Sequence, residues 1–435
     1  MSTWTESDLL YWDDKITRVA KDLGLDWYPI DYEIIDYQEM LGAMAYVGLP
    51  THYRHWSYGK EYERTHTLYN MGQTGLPYEM IINSNPSIAY LMRENALYVH
   101  ILTMAHCVGH SDFFKNNRMF ADTNPKHIID KFKAASKYVR KLIEDPSIGI
   151  EKVENILDAA HSIKYQVPRY PGITYRTREE ILISEKLKME EDASYCPDLT
   201  RLPLEPEYNV LKFIAEHSKH LKEWERHLLL IVEESSKYFI PQALTKIMNE
   251  GWACTIHHKI VNELNLPDSL HLPFIKLHNQ VIRPHLGTLN PYHLGFKLFE
   301  KIIEEKGIEE ATHIREVHND ITFLRFYLDQ AFMEEMNYFS YSFKKDKKGN
   351  TIDDVSDTQG WEAIRDDLIT NVALNRIPTV FVDELEKNNT LSLVHEHDGR
   401  DLELAYAKKV FEHVQKLWGD KVRLTTMVED EIWEF

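Results

Sequence analysis

Cysteine is scarce in this chain: Cys107, Cys196 and Cys254 are the three among 435 residues. An odd number at wide spacing excludes a disulfide framework and fits a reducing compartment. Long apolar runs are missing as well. No stretch reaches the ~20 apolar residues that span a bilayer as a helix. The most apolar one, "ALYVHILTMAHCVGH" (96–110), carries three histidines. The opening "MSTWTESDLLYWDDK" lacks the basic and apolar regions of a secretory signal. Positive charge is in deficit, with 50 Lys and Arg against 69 Asp and Glu and a net charge of −19. Neutralising phosphates needs a clustered basic face, so a nucleic-acid role and docking on anionic lipid are both disfavoured. A phosphate-binding loop, a dinucleotide fingerprint and a G-x-S-x-G elbow are absent too. These absences leave a cytoplasmic globular protein that works with small molecules or with protein partners, without membrane insertion.

Composition is that of an ordinary folded chain, with 43% hydrophobic and 27% charged residues. The patterning predicts an α+β fold, mainly α. A large helical domain spans 1–342, and a small C-terminal α+β module spans 343–435. Two helices are expected over 5–48, an irregular aromatic segment over 51–85 with a short strand at "YEMIIN", and one long helix from Pro86 to about Gly109. Asn116 and Asn117, in the loop expected next, are read as backbone caps. The Pro- and charge-rich stretch 168–209 is long for a loop and reads as a surface excursion or lid. The "KKDKKGN" cluster (344–350) marks a turn before the module, which reads helix, strand, strand, helix, strand.

Chemistry concentrates in two places. His106 and His110 are four residues apart, so on a helix both imidazoles share one face. Such a pair is a common two-ligand metal unit, although buried histidines also serve as hydrogen-bonding core groups. In "MNEGWACTIHH" (248–258), Glu250 lies in an apolar helical setting and shares a face with His257. A carboxylate there must be paired, protonated or metal-bound. Together His106, His110, Glu250 and His257 form a gluzincin-like zinc set. The position after the first histidine, where a zinc protease carries its general base, holds Cys107. Glu79 or Glu94 is the candidate catalytic base in its place. His100, Cys107 and Cys254 read as core packing. "HYRHWSYGKEYERTH" (52–66) reads as a packed segment or a pocket lining, and "HEHDGRDLE" (395–403) as a solvated turn.

Six stretches resemble the stage V sporulation protein R (SpoVR-like) family. They are "HWSYGKEYE" (55–63), "YEMIINSNPSIAYLMRENA" (78–96), "AHCVGHSDFFKNN" (105–117), "YFIPQALTKIMNEGWA" (238–253), "LNPYHLGF" (289–296) and "RDLELAYAKKVFEHVQKLWG" (400–419). The resemblance implies a cytoplasmic bacterial protein tied, in spore formers, to building the spore cortex. It implies no settled reaction. A His-containing helix ending in Gly-His, followed by a distant Glu-Gly-Trp-Ala, is also similar to gluzincin-like metallopeptidases. That likeness implies zinc on His106, His110 and Glu250. Two functions follow as expectations. One is a regulator or scaffold on a metallopeptidase-like core, with protein partners in the cytoplasm. The other is a zinc-dependent hydrolase acting on a peptide or a peptidoglycan-related amide. Cys107 in place of the base leans the expectation to the regulator.

Overall fold

The computed structural model describes residues 4–49, 52–71, 79–173, 176–192, 194–285, 289–337, 339–344, 349–355 and 360–435. The fold is α+β and mainly helical. In chain order the first elements are α1 (Glu6–Asp22), β1 (Ile30–Ile35), α2 (Tyr37–Ala45), α3 (Trp56–Asn70), β2 (Glu79–Ile82), β3 (Ser87–Met92) and α4 (Leu97–Asn116). Next come α5 (Ile128–Glu144), α6 (Gly149–Ser162), α7 (Arg178–Glu191), α8 (Val210–His217), α9 (Glu223–Leu244) and α10 (Lys246–Glu263). Then follow α11 (Asp268–Val281), α12 (Pro291–Lys306), α13 (Ile308–Val317), α14 (Asp320–Tyr327) and α15 (Gln330–Glu335). The last part holds β4 (Phe339–Lys344), β5 (Gly349–Val355), α16 (Trp361–Asn371), β6 (Thr379–Leu385), β7 (Leu391–Glu396), α17 (Leu404–Trp418), β8 (Val422–Val428) and β9 (Glu431–Glu434).

The chain divides into two compact units. The first comprises 1–52, 56–133 and 241–376, and the second 53–55, 134–240 and 377–435. The first unit is built around α4, whose residues from Val99 to Phe114 are all buried. A helix apolar on every side belongs in the centre of a core. A small sheet of order β1-β3-β2 packs against it, with β1 parallel and β2 antiparallel to β3. The α4 helix also packs against α10, and α10 packs against α12.

Glycines set the closeness of these helices. A Cβ on Gly109 would sit 2.7 Å from the Cα of Ala253, and one on Gly251 would sit 2.3 Å from the carbonyl carbon of Gly295. The three helices therefore touch backbone to backbone, which only glycine permits. The entry into α10 is fixed from a distance. Thr245 interrupts the helical run, and the buried Asp320 carboxylate accepts hydrogen bonds from the Ile247 and Met248 amides at 2.8 and 2.9 Å. Two donors left open at a helix start are thereby satisfied.

In the second unit, the sheet β6-β7-β8-β9 is antiparallel except for the parallel β7–β8 pair joined through α17. Within 168–209, α7 forms a capped helix and Glu207 bridges to Val382 of β6. The backbone of β4 and β5, which belong to the first unit, forms a hairpin, while residues 345–348 of the lysine-rich turn lie outside the described residues.

Four expectations of local structure are corrected. Residues 30–35 form a strand where a helix was expected, and 56–70 form a helix where irregular chain was expected. The long helix from Pro86 does not exist as one piece. Ser87–Met92 is the central strand of its sheet, and α4 begins at Leu97 after a turn. A short continuous apolar run has no period that separates a buried strand from a buried helix, and pairing on both edges decides it. Finally, α4 runs through Gly109 to Asn116, because that glycine serves close packing on α10 and does not end the helix.

Candidate metal centre

Because α4 and α10 pack so closely, His106 and His110 face Glu250 across the contact. The Nε2 atoms of both imidazoles point at the same Glu250 oxygen, Oε2, at 3.7 and 3.5 Å. Glu79, at the start of β2, adds a second carboxylate, with Oε1 3.9 Å from His106 Nε2. These distances are long for hydrogen bonds. They are close to the ~3.4 Å edge between two ligands of a tetrahedral ion bound at about 2.1 Å. Both His106 Nε2 and Glu250 Oε2 are buried and have no hydrogen-bond partner. Unsatisfied buried polar atoms of this kind are rare and need an explanation.

The opposite ring nitrogens are all engaged. His110 Nδ1 lies 2.8 Å from Asn249 Oδ1, so the ring donates there and leaves its Nε2 lone pair toward Glu250. His106 Nδ1 lies 2.9 Å from His257 Nδ1, and His257 Nε2 lies 2.7 Å from His278 Nδ1. A lone pair facing a carboxylate is repulsive unless a cation or a second proton lies between them.

The electrostatics follow from this crowding. Burial pushes the Glu250 carboxyl up, but the two imidazoles outweigh it and hold the acid well below its usual range. Burial alone would lower His110, yet Glu250 and Asn249 turn the net shift upward. Glu79 is raised by burial and by the Glu250 charge, against the pull of His106 and His110. The Glu250 charge, then burial, raises the Tyr292 phenol at the start of α12, so it stays protonated beside the carboxylate. Asn290 places that tyrosine: its side chain accepts from the Tyr292 amide and donates to the carbonyls of Val281 and Arg283.

Two donor sets share His106: His106–His110–Glu250 and His106–Cys254–His257. The first fits a divalent ion better. Two of its three facing atoms, His106 Nε2 and Glu250 Oε2, are unpartnered, and the three are properly spaced. In the second the two nitrogens are already hydrogen-bonded to each other, and burial pushes the Cys254 thiol far up.

Of the expected site residues, His106, His110, Glu250, Glu79 and His257 converge here. Glu94 does not. It is exposed in the turn between β3 and α4 and is not carried on the histidine helix. Cys107 is fully buried with its thiol raised by burial, and so is Cys254. His100 is buried edge-on against Trp4, and burial lowers it to about 4. Asn117 caps the short turn after α4 by accepting from the Met119 amide, and Asn116 donates to the backbone of Asp26 and Asp112. Sequence reasoning missed Asn249, Tyr292 and His278. Tyr292 lies in "LNPYHLGF" and Asn249 directly precedes Glu250, but nothing local assigns either to this site.

The family model "SpoVR like protein" matches residues 3–377, and the "SpoVR-like C-terminal domain" matches 379–429. The chain is 33% identical over 485 aligned positions to the uncharacterized protein YcgB of Escherichia coli K12, covering 98% of this chain and 93% of that protein. No solved structure matches.

Proposed function

The chain belongs to the SpoVR-like family, and from that premise we propose that it is a zinc-dependent hydrolase of a peptide or peptidoglycan-related amide, in the cytoplasm. His106, His110 and Glu250 would hold the ion. The observation that carries this reading is the convergence of two imidazole Nε2 atoms on the unpartnered Glu250 Oε2 at 3.5 and 3.7 Å. When bound, zinc supplies Lewis acidity toward a carbonyl and toward water.

The remaining roles belong to the chain itself. Glu79 lies beside the donor set and outside it, and its raised carboxyl suits taking a proton and handing it on at Oε1. This is the work that Cys107 cannot do with a buried, protonated thiol. Tyr292 keeps its phenolic hydrogen and can donate to negative charge that develops on a substrate oxygen. Asn249 fixes the His110 tautomer.

The regulator reading has one observation in its favour, the Cys107 substitution itself. On that reading the metal is structural, and the protein recruits protein partners. A part in spore cortex formation belongs to either reading. The test is hydrolysis of a peptide and cell-wall amide panel by zinc-loaded protein, wild type beside Glu79→Gln. Turnover that drops at least 100-fold in the variant at equal zinc content supports the hydrolase. Stoichiometric zinc with no turnover on any amide favours the regulator.

A further inference from the structure

Three buried histidines stand in line behind the site. His106 Nδ1 meets His257 Nδ1 at 2.9 Å, and His257 Nε2 meets His278 Nδ1 at 2.7 Å. His257 is on α10 and His278 on α11, so the line leaves the helix pair that carries the donor set. His278 is packed among the rings of Phe274, His258 and Phe296. His257 is fully buried and His278 is 4% exposed, so the line runs through the interior of the unit.

A neutral imidazole carries hydrogen on one nitrogen and a lone pair on the other. Each link of the line therefore has a direction, and the links are tied together. If His106 turns its Nε2 lone pair outward, its Nδ1 holds the hydrogen and donates to His257 Nδ1. His257 must then hold its hydrogen on Nε2 and donate to His278 Nδ1, and His278 holds its own on Nε2. In the reverse direction the hydrogens sit on His106 Nε2, His257 Nδ1 and His278 Nδ1. Both states contain three ring hydrogens. Reversal removes a proton from His106 Nε2, passes one across each link, and adds one to His278 Nε2 from water.

We propose that His257 and His278 are positioning residues of a directional three-imidazole relay, which reverses as zinc binds, keeps His106 in the metal-binding tautomer in the loaded site, and makes the His278 ring report whether the site is loaded. This rests on the zinc reading above. It also assigns His257 to the layer behind the ligands, because both its nitrogens are used in the line. Partners of this kind set ligand orientation, and their loss typically weakens metal binding about 10- to 100-fold.

The experiment uses the full chain and zinc alone. Zinc dissociation constants are measured for wild type, His278→Phe and His258→Phe, and imidazole nitrogen–proton correlation spectra of wild type are recorded with and without zinc. The expected result is binding about 10- to 100-fold weaker in His278→Phe. His258→Phe, which changes a ring stacked on His278 but outside the line, keeps wild-type affinity. In the spectra the His278 hydrogen moves from Nδ1 to Nε2 on loading. Unchanged affinity in His278→Phe, equal weakening in His258→Phe, or a His278 hydrogen that stays on Nδ1 overturns the relay while zinc binding stands. Wild type that takes up no zinc overturns the zinc reading and the relay with it.

Discussion

Asp112 shows how much the core around the site depends on single polar groups. It is fully buried on α4, accepts from the Asp26 amide at 3.0 Å and from Trp252 Nε1 at 2.8 Å, and faces Arg315 Nε at 3.4 Å. Arg315 is 2% exposed and lies over the Trp252 ring. Asp112→Ala would leave that guanidinium buried without its carboxylate, so urea unfolding should show a loss of about 3–5 kcal/mol. The same scale explains which site residues were legible. His106 with His110 is visible because four-residue spacing defines a helical face, and Glu250 because a carboxylate among apolar residues demands a partner. His278, Asn249 and Tyr292 were not, because each is a partner chosen by where a distant helix passes.

At the scale of elements, the α10 helix is placed by two devices that the site needs. One is the Gly251–Gly295 contact with α12. Gly251→Ala puts a methyl group 2.3 Å from a backbone carbon, so the helices must part. Stability should fall by roughly 1–3 kcal/mol or more, and zinc affinity should fall with it because Glu250 is the adjacent residue. The other device is Asp320, whose carboxyl burial raises to about 7 against the pull of the Ile247 and Met248 amides. Between its ordinary value near 3.8 and about 7, the folded chain holds a proton that the unfolded chain has lost. The contribution of Asp320 to stability therefore declines as pH rises through that window. Unfolding midpoints measured from pH 4 to 7 should fall more steeply for wild type than for Asp320→Asn. Helices with a clear polar face, such as α1, α5, α6 and α17, were legible from periodicity, as were β6, β7 and β8. The strands β1 and β3 were not. Their order comes from lying side by side, a parallel pairing between residues far apart in sequence.

For the whole molecule, the mainly helical α+β class was legible, because helix periods dominate most of the chain and strand signals cluster at its end. The path of the chain through its two units was not. The second unit joins 134–240 to 377–435. There Ser218 Oγ donates to the carbonyls of Leu417 and Trp418 at 3.0 and 3.1 Å, and Phe213 stacks on Trp418. A chain ended at residue 377, between the two family-model matches, should strip the cover from Phe213. It should bind more of a hydrophobic dye and unfold less cooperatively than the full chain. Equal dye binding would show that residues 378–435 are not part of that core. The described residues include no helix long and apolar enough to cross a membrane.

The most direct measurement is the zinc content of the purified full chain after zinc loading and buffer exchange, wild type beside folded His110→Ala and Glu250→Gln. The account predicts one zinc per chain in wild type and a large loss in both variants. Wild type without zinc, or variants that keep it, would contradict a centre built on His106, His110 and Glu250.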